Sequence, residues 1–296
     1  MPLIMSAGEA LIDLLPGEHD GARIPVPGGG PMNVALTVAR LGVPAAFCGR
    51  ISNDRFGQLI WDHVRSSDVL MDAVERGDEP TATAEVITNP VQRFVFSGTD
   101  TADMNLSAVN EAFLPERPTI FHGGTLGLFR GRTAETLAQY VETFDGIVSL
   151  DPNIRPALIT DPDQWWHYAN RWIARAQLVR GSDEDFDWMG VTVEDLLSRG
   201  VAAVIRTLGD DGAEIVLSSG ERTHVNGAKI EFVDAVGAGD SFCGAVLVRL
   251  AEHGVTRDSF SRLTLDWWTD SLRFAVKVAG ITCSRAGADP PYRHEL

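Results

Sequence analysis

The feature that most constrains this chain is a rhythm in which short apolar runs alternate with longer amphipathic ones along most of its 296 residues. Strand-like runs are read at 3–7, 45–51, 119–122, 147–151, 176–180 and 203–207. Between them, apolar side chains at helical spacing predict helices over 33–41, 56–66, 132–144, 163–174 and 195–199, and 238–253 and 267–283 close the chain. Strands alternating with helices need crossover connections, and crossovers lay helices on both faces of a mainly parallel sheet. The expected fold is therefore α/β in three layers. Residues 213–217 and 222–225, separated by Ser218-Ser-Gly-Glu221, read as a hairpin added after the parallel strands.

Two stretches break the rhythm. Residues 9–24 and 81–98 carry two-residue alternation, as in Thr83-Ala-Glu-Val-Ile and Arg93-Phe-Val-Phe, where a crossover helix is expected. Strands inserted between crossover units lie off the main sheet, and over a cleft they act as a lid. The chain is read as one domain, 1–296, carrying a small β lid.

Charge and composition remove several function classes. A net charge of −16 argues against a nucleic-acid groove, which needs clustered cations. It leaves nucleotides open, because backbone amides and a metal ion can hold phosphates. Lys229 follows Ala228 and Lys277 follows Val276, and there is no other lysine, so no Gly-Lys-Ser/Thr phosphate loop exists. Cys48, Cys243 and Cys283 are scattered and show no metal-ligand spacing; buried thiols in a reducing compartment are expected. Glu9 and Asp13 interrupt the first apolar run, no basic segment precedes it, and no run of eighteen apolar residues follows. A cytoplasmic location without a membrane span is expected.

Two motifs carry chemistry. In Asp234-Ala-Val-Gly-Ala-Gly-Asp240, the small residues Gly237, Ala238 and Gly239 let the backbone turn sharply at the start of a helix. Consecutive N–H groups and the helix dipole there form an anion hole suited to a transferring phosphoryl group. Asp240 lies beside it, a carboxylate able to take a proton from an attacking hydroxyl. A glycine-rich turn with Asp240 as a plain helix cap fits the same residues. Near the N-terminus, Gly28-Gly-Gly-Pro-Met-Asn33 opens a helix with Asn33 where a dinucleotide fingerprint needs glycine. Asn33 offers donors and an acceptor suited to sugar hydroxyls.

Together these motifs resemble the ribokinase-like (PfkB) carbohydrate kinases. Gly29, Gly30 and Asn33 match the family's early Gly-Gly-x-x-x-Asn, and Asp234, Gly237, Ala238, Gly239 and Asp240 match its late Asp-x-x-Gly-Ala-Gly-Asp. The resemblance implies a ribokinase-like three-layer sandwich, an ATP-dependent sugar kinase, Asp240 as base and the Gly237–Gly239 amides on the phosphates. It implies that Asp13, in Gly8-Glu-Ala-Leu-Ile-Asp13, bonds the sugar from the start of the lid. Thr207, Gly209 and Gly212 resemble the family's Thr-x-Gly-x-x-Gly nucleotide loop. Gly181-Ser182-Asp-Glu184 stands at its Asn-x-x-Glu motif, which places Ser182 at the nucleotide and Glu184 at magnesium through water, with Gly181 departing from the pattern. Val276 departs likewise, standing where an asparagine near the adenine is expected. Asp234 and Val236, with Ala286 and Gly287, fall in the loops that hold potassium in relatives.

Asp151-Pro-Asn153-Ile-Arg155-Pro resembles fructokinases and 2-keto-3-deoxygluconate kinases; Arg155 is expected at phosphate or substrate, or in a salt bridge to Asp151. In the lid, Phe96 and Ser97 stand where ketodeoxygluconate kinases place the tyrosine and arginine that grip a carboxylate. Losing a charge-assisted bond worth about 1.5–3 kcal/mol disfavours acidic substrates. The expected acceptor is a primary hydroxyl of a neutral sugar, D-fructose at O6. A 2-keto-3-deoxygluconate kinase with Arg155 on the carboxylate, a nucleoside kinase and a silent sugar-binding protein of the same fold are the alternatives. ATP, Mg²⁺ and K⁺ are the cofactors expected, with a homodimer clasped through the lid as a possible assembly.

Overall fold

The computed structural model describes residues 2–17, 19, 22–87 and 93–296. The chain opens with β1 (Ile4–Ala7), β2 (Leu11–Pro16), β3 (Arg23–Gly28), α1 (Gly30–Arg40), β4 (Ala45–Cys48) and β5 (Arg50–Ser52). Next come α2 (Arg55–Arg65), β6 (Glu75–Gly77), β7 (Thr83–Ile87), β8 (Arg93–Ser97) and β9 (Ile120–Gly124). The alternation is then regular: α3 (Gly131–Thr143), β10 (Ile147–Asp151), α4 (Pro162–Ile173), β11 (Leu178–Ser182), α5 (Asp183–Met189), α6 (Val193–Ser198) and β12 (Ala203–Thr207). A hairpin of β13 (Ala213–Leu217) and β14 (Arg222–Val225) precedes α7 (Ala238–Glu252) and α8 (Leu265–Cys283).

Eight strands form the central sheet in the order β14-β13-β12-β11-β10-β9-β1-β4. Its pairs are parallel from β4 through β12, and the last two, to β13 and β14, are antiparallel. Every residue of β1, β9 and β10 is buried, as expected of strands covered on both faces. One covering layer packs Leu137 and Val141 of α3 and Trp165 and Trp172 of α4 against strand residues such as Phe121 and Val148. The other packs Val34 and Val38 of α1, Val246 and Leu250 of α7 and Leu272 and Ala275 of α8. In that second layer α1 and α7 approach closely, since a Cβ on Gly244 would lie 2.8 Å from Thr37 Cβ. The contact matters because it brings the two glycine-rich helix starts together.

The two irregular stretches form a separate four-stranded sheet, β3-β2-β7-β8. Parts of both lid stretches, residues 18, 20, 21 and 88–92, lie outside the described residues. Two expectations need correction. The single strand expected over 45–51 is two: a side chain at Gly49 would meet the Gly8 carbonyl at 2.6 Å, and β5 leaves the central sheet to pair with β6. Residues 183–189, for which no helix is expected from spacing, form α5, held by a capping box between Ser182 and Asp185.

Candidate active site

The turn before α7 takes the form the sequence requires. Gly237 is its N-cap at φ 75°, in the left-handed region where a Cβ is penalised, and no side chain caps the helix. The expected trio of amides is reduced by one, because the Ala238 N–H donates to the Ala235 carbonyl at 3.2 Å. The N–H groups of Gly239 and Asp240 have no partner among the described residues, as orphan donors at a helix start.

Asp240 does not cap its helix. Its carboxylate is buried and accepts a hydrogen bond from Asn33 Nδ2 of α1 at 2.8 Å. Asn33 thus spends a donor on orienting Asp240, while its Oδ1 is buried without a partner. Burial raises the Asp240 pKa, opposed by the Asn33 hydrogen bond and by the charges of Arg155 and Arg180. A cavity of about 390 Å³ opens in front of this carboxylate, lined by Asp13, Gly30, Phe96, Asn153 and Arg155 among others. Gly30 keeps it open: a Cβ there would sit 2.8 Å from Thr125 Oγ1 and 3.3 Å from Asp240 Oδ1. Thr125 and Asn153 themselves have φ of 50° and 39°, a conformation costly for a β-branched threonine, and both border this cavity.

From the four-stranded sheet, Leu11, Asp13 and Phe96 reach the same cavity, beside Gly29 before α1. Burial pushes Asp13 up to about 6, opposed by the Arg155 charge and reinforced by Asp240. Arg155 makes no bridge to Asp151. Its Nη1 donates to Asn153 Oδ1 at 2.7 Å and to the Asn153 and Ile154 carbonyls, curling onto its own loop.

A second cavity, of about 450 Å³, lies on the other side of this turn, with Ala238 and Gly239 in its lining. Thr207, Gly209 and Gly212, in the turn from β12 to β13, line it together with Ser182 and Glu184. Ser182 caps α5, its hydroxyl 2.9 Å from Asp185 Oδ2, and Glu184 is exposed on the first turn. The two cavities share Arg180, Ser182, Ala235 and Gly239. They therefore meet at the free amides, with Asp240 on the side of the first.

Arg180 and Glu9 are among the lining residues not singled out from sequence. Arg180, buried in the middle of β11, places Nη1 2.8 Å from Asp151 Oδ2 and Nη2 2.7 Å from Thr207 Oγ1. A Cβ on Gly239 would lie 2.8 Å from this guanidinium, which is thus a fixed positive charge beside the unpaired amides. Glu9 accepts from the Gly30 N–H at 3.2 Å and the Gly127 N–H at 3.1 Å, bracing two walls of the first cavity. The signal for both was a charged residue at the edge of an apolar strand. Asp234 accepts from the N–H groups of Val236 and Gly287, at 3.1 and 3.0 Å, and ties those loops together.

Burial leaves several of these acids with raised pKa values, Glu9 at about 8 and Asp151 at about 6. With Asp13, they bind more protons folded than unfolded between their ordinary values and these raised ones. The stability they confer is full below about pH 4 and is lost as pH rises through 6 to 8. The free protein should therefore melt at a lower temperature at pH 8 than at pH 5, and Glu9→Gln should flatten that slope. A melting temperature that climbs across the window would contradict the assignment.

A polar cavity with a buried carboxylate, joined through free amides to a cavity with a glycine-rich turn, defines a small-molecule kinase. The chain belongs to the pfkB family of carbohydrate kinases, whose family match spans residues 1–295, and it is a phosphotransferase acting on a carbohydrate alcohol. It is 31% identical to fructokinase-1 of Oryza sativa subsp. japonica over 318 aligned positions, covering 99% of this chain and 95% of that one. It is 30% identical to a fructokinase of Rhizobium leguminosarum bv. trifolii, covering 84% of this chain and 79% of that one. The fructokinase of Xylella fastidiosa, solved with bound ATP, superposes with a TM-score of 0.87 at 25% identity, covering 97% of this chain and 93% of that one. A fructokinase double mutant from Vibrio cholerae O395, bound to fructose, ADP and potassium ion, has a TM-score of 0.84 at 25% identity, covering 97% and 94%. The central sheet and layers are thus the ribokinase-like sandwich.

Proposed function

We propose that the protein transfers the γ-phosphoryl group of ATP to O6 of D-fructose. One observation carries the reading: the two cavities meet at the free N–H groups of Gly239 and Asp240, and the Asp240 carboxylate faces the polar one. A sugar hydroxyl in the first cavity and a phosphoryl group arriving from the second are then neighbours. Asp240 takes the hydroxyl proton as the oxygen attacks, and the two amides with Arg180 hold the negative charge that the transferring group carries. Asn33 keeps the carboxylate turned toward the acceptor, and Asp13 accepts from sugar hydroxyls. The lid, with Phe96 over the cavity, excludes water and limits ATP hydrolysis.

The lining favours a neutral sugar. Glu9, Asp13, Asp185 and Asp240 face the first cavity against Arg155 and Arg180, and each arginine already has partners. A substrate carboxylate would meet repulsion there and no free bidentate clamp. Glu184, exposed on the rim of the second cavity, is the acid we assign to Mg²⁺, which it would reach through water while phosphate oxygens supply direct ligands. Such an ion neutralises charge on the phosphates when bound. Asp234, joining the Val236 and Gly287 loops, is the anchor we assign to K⁺, in keeping with the potassium of the Vibrio relative. The lid also exposes Ile24 and Val95, which suits a lid-to-lid homodimer.

A panel of D-fructose, other neutral hexoses, 2-keto-3-deoxygluconate and nucleosides, followed by ADP release, tests the reading. D-fructose should give the highest kcat/KM, and a preference for the keto acid or a nucleoside would overturn it. Asp13→Asn should raise the KM for fructose by about 10–100-fold, the loss of one or two charge-assisted hydrogen bonds. In the wild type, kcat/KM for fructose should fall as pH drops below about 6, where Asp13 protonates.

A further inference from the structure

Arg40 closes α1, about 10 Å of helix beyond Asn33, and lines neither cavity. An arginine in a last helical turn complements the helix dipole and can do so from solvent. This one is drawn inward instead, with a side chain only 9% exposed. Its Nη1 donates to Asp289 Oδ1 at 2.6 Å and to the Pro290 carbonyl at 2.7 Å. Its Nε donates to Ser67 Oγ at 3.1 Å, and the guanidinium lies 4.9 Å from the ring centre of Tyr292. Arg40 therefore grips the segment that follows α8. That segment backs the turn before α7: a Cβ on Gly237 would lie 2.5 Å from Ala288 Cβ and 2.9 Å from its Cα. Ala288 thus rests on the residue that caps α7, between Gly287, held by Asp234, and Asp289 and Pro290, held by Arg40.

We infer that Arg40 is a positioning residue for phosphoryl transfer, holding the 287–290 segment against Gly237 so that the Gly239 and Asp240 amides stay aligned with the Asp240 carboxylate. The inference rests on the kinase reading above, which puts the phosphoryl group at those amides. Asn33, Thr37 and Arg40 recur at helical spacing and share one face of α1. Asn33 holds the carboxylate, Thr37 packs at Gly244 of α7, and Arg40 holds the segment behind Gly237. One helix thus braces the base directly and the amide-bearing turn through Ala288. Arg285, the other cation at Asp289, belongs to the same segment and cannot tie it to α1. Reacting groups misplaced by about 1 Å, even by a change far from the chemistry, lose on the order of 10²-fold in rate.

The test compares steady-state kinetics of Arg40→Met, Asp289→Ala and their double variant with the wild type, alongside melting temperatures. Arg40→Met should lower kcat about 10–100-fold and leave the KM values for fructose and ATP within about three-fold, since both cavities keep their linings. Arg40→Lys keeps a charge on Asp289 and should recover part of the lost kcat. Asp289→Ala should lower kcat several-fold, and the double variant should be no slower than Arg40→Met, because both changes act along one route. A lower melting temperature with kcat unchanged would overturn the inference and leave Arg40 a plain brace. Losses that multiply in the double variant would overturn it as well. Should Arg40→Met fail to fold, Asp289→Ala decides, and an unchanged kcat there counts against the inference. A wild type that phosphorylates no sugar would instead sink the kinase reading on which it rests.

Discussion

Asp240→Asn should lower kcat by roughly 10²–10⁴-fold, the contribution of a positioned general base, and leave the affinity for fructose nearly unchanged. The substitution keeps the size of the side chain, and the amide oxygen can still accept from Asn33 Nδ2, now at 2.8 Å. The two free amides are main-chain groups and stay in place. What is lost is the ability to take a proton. Titration calorimetry with fructose should therefore give a dissociation constant within a few-fold of the wild type, while the turnover assay collapses. Equal losses in binding and turnover would mean that Asp240 serves to shape the cavity.

Arg180→Met should be the most damaging single change for stability and should also abolish most activity. The ion pair with Asp151 is buried on both sides, with side-chain exposures of 8% and 3%. Removing the cation strands a carboxylate that burial has already pushed up to about 6, a loss on the order of 3–5 kcal/mol. Thr207 also loses a donor, keeping its bond to the Gly181 carbonyl, and the anion hole loses its fixed positive charge. Pairing Arg180→Met with Asp151→Asn separates the two effects, since the stranded charge is gone. The double variant should recover much of the melting temperature and none of the turnover. Recovery of both would show that Arg180 is a structural brace with no part in phosphoryl transfer.

Much of this molecule was legible because its regular elements obey local rules. The β13–β14 hairpin and the parallel strands follow from apolar runs and turn residues, and the helices read from spacing start and stop within three residues of where it predicts. The exceptions have identifiable causes. α5 carries three acids in its first turn and a Ser-x-x-Asp cap, a readable signal that the motif resemblance overshadowed. The break at Gly49 depends on the Gly8 carbonyl, a contact no local pattern announces.

The site divided along the same line. Gly237, Gly239 and Asp240 were readable because a sharp turn at a helix start needs small residues, whatever lies around it. Asn33 was picked out, but not its bond to Asp240 across 207 residues. Glu9 and Arg180 were missed because their meaning lies in distant partners, the Gly127 amide 118 residues away and Asp151 29 residues away. A charge that looks like an interruption in a strand acquires a role when the fold buries it beside a cavity.

The most direct test is a crystal structure of the wild-type protein with fructose and a non-hydrolysable ATP analogue. The account predicts O6 of the sugar within about 2.6–3.2 Å of the Asp240 carboxylate, and the terminal phosphate against the Gly239 and Asp240 amides. Fructose bound with every hydroxyl turned away from Asp240, or phosphates seated elsewhere than that turn, would contradict it.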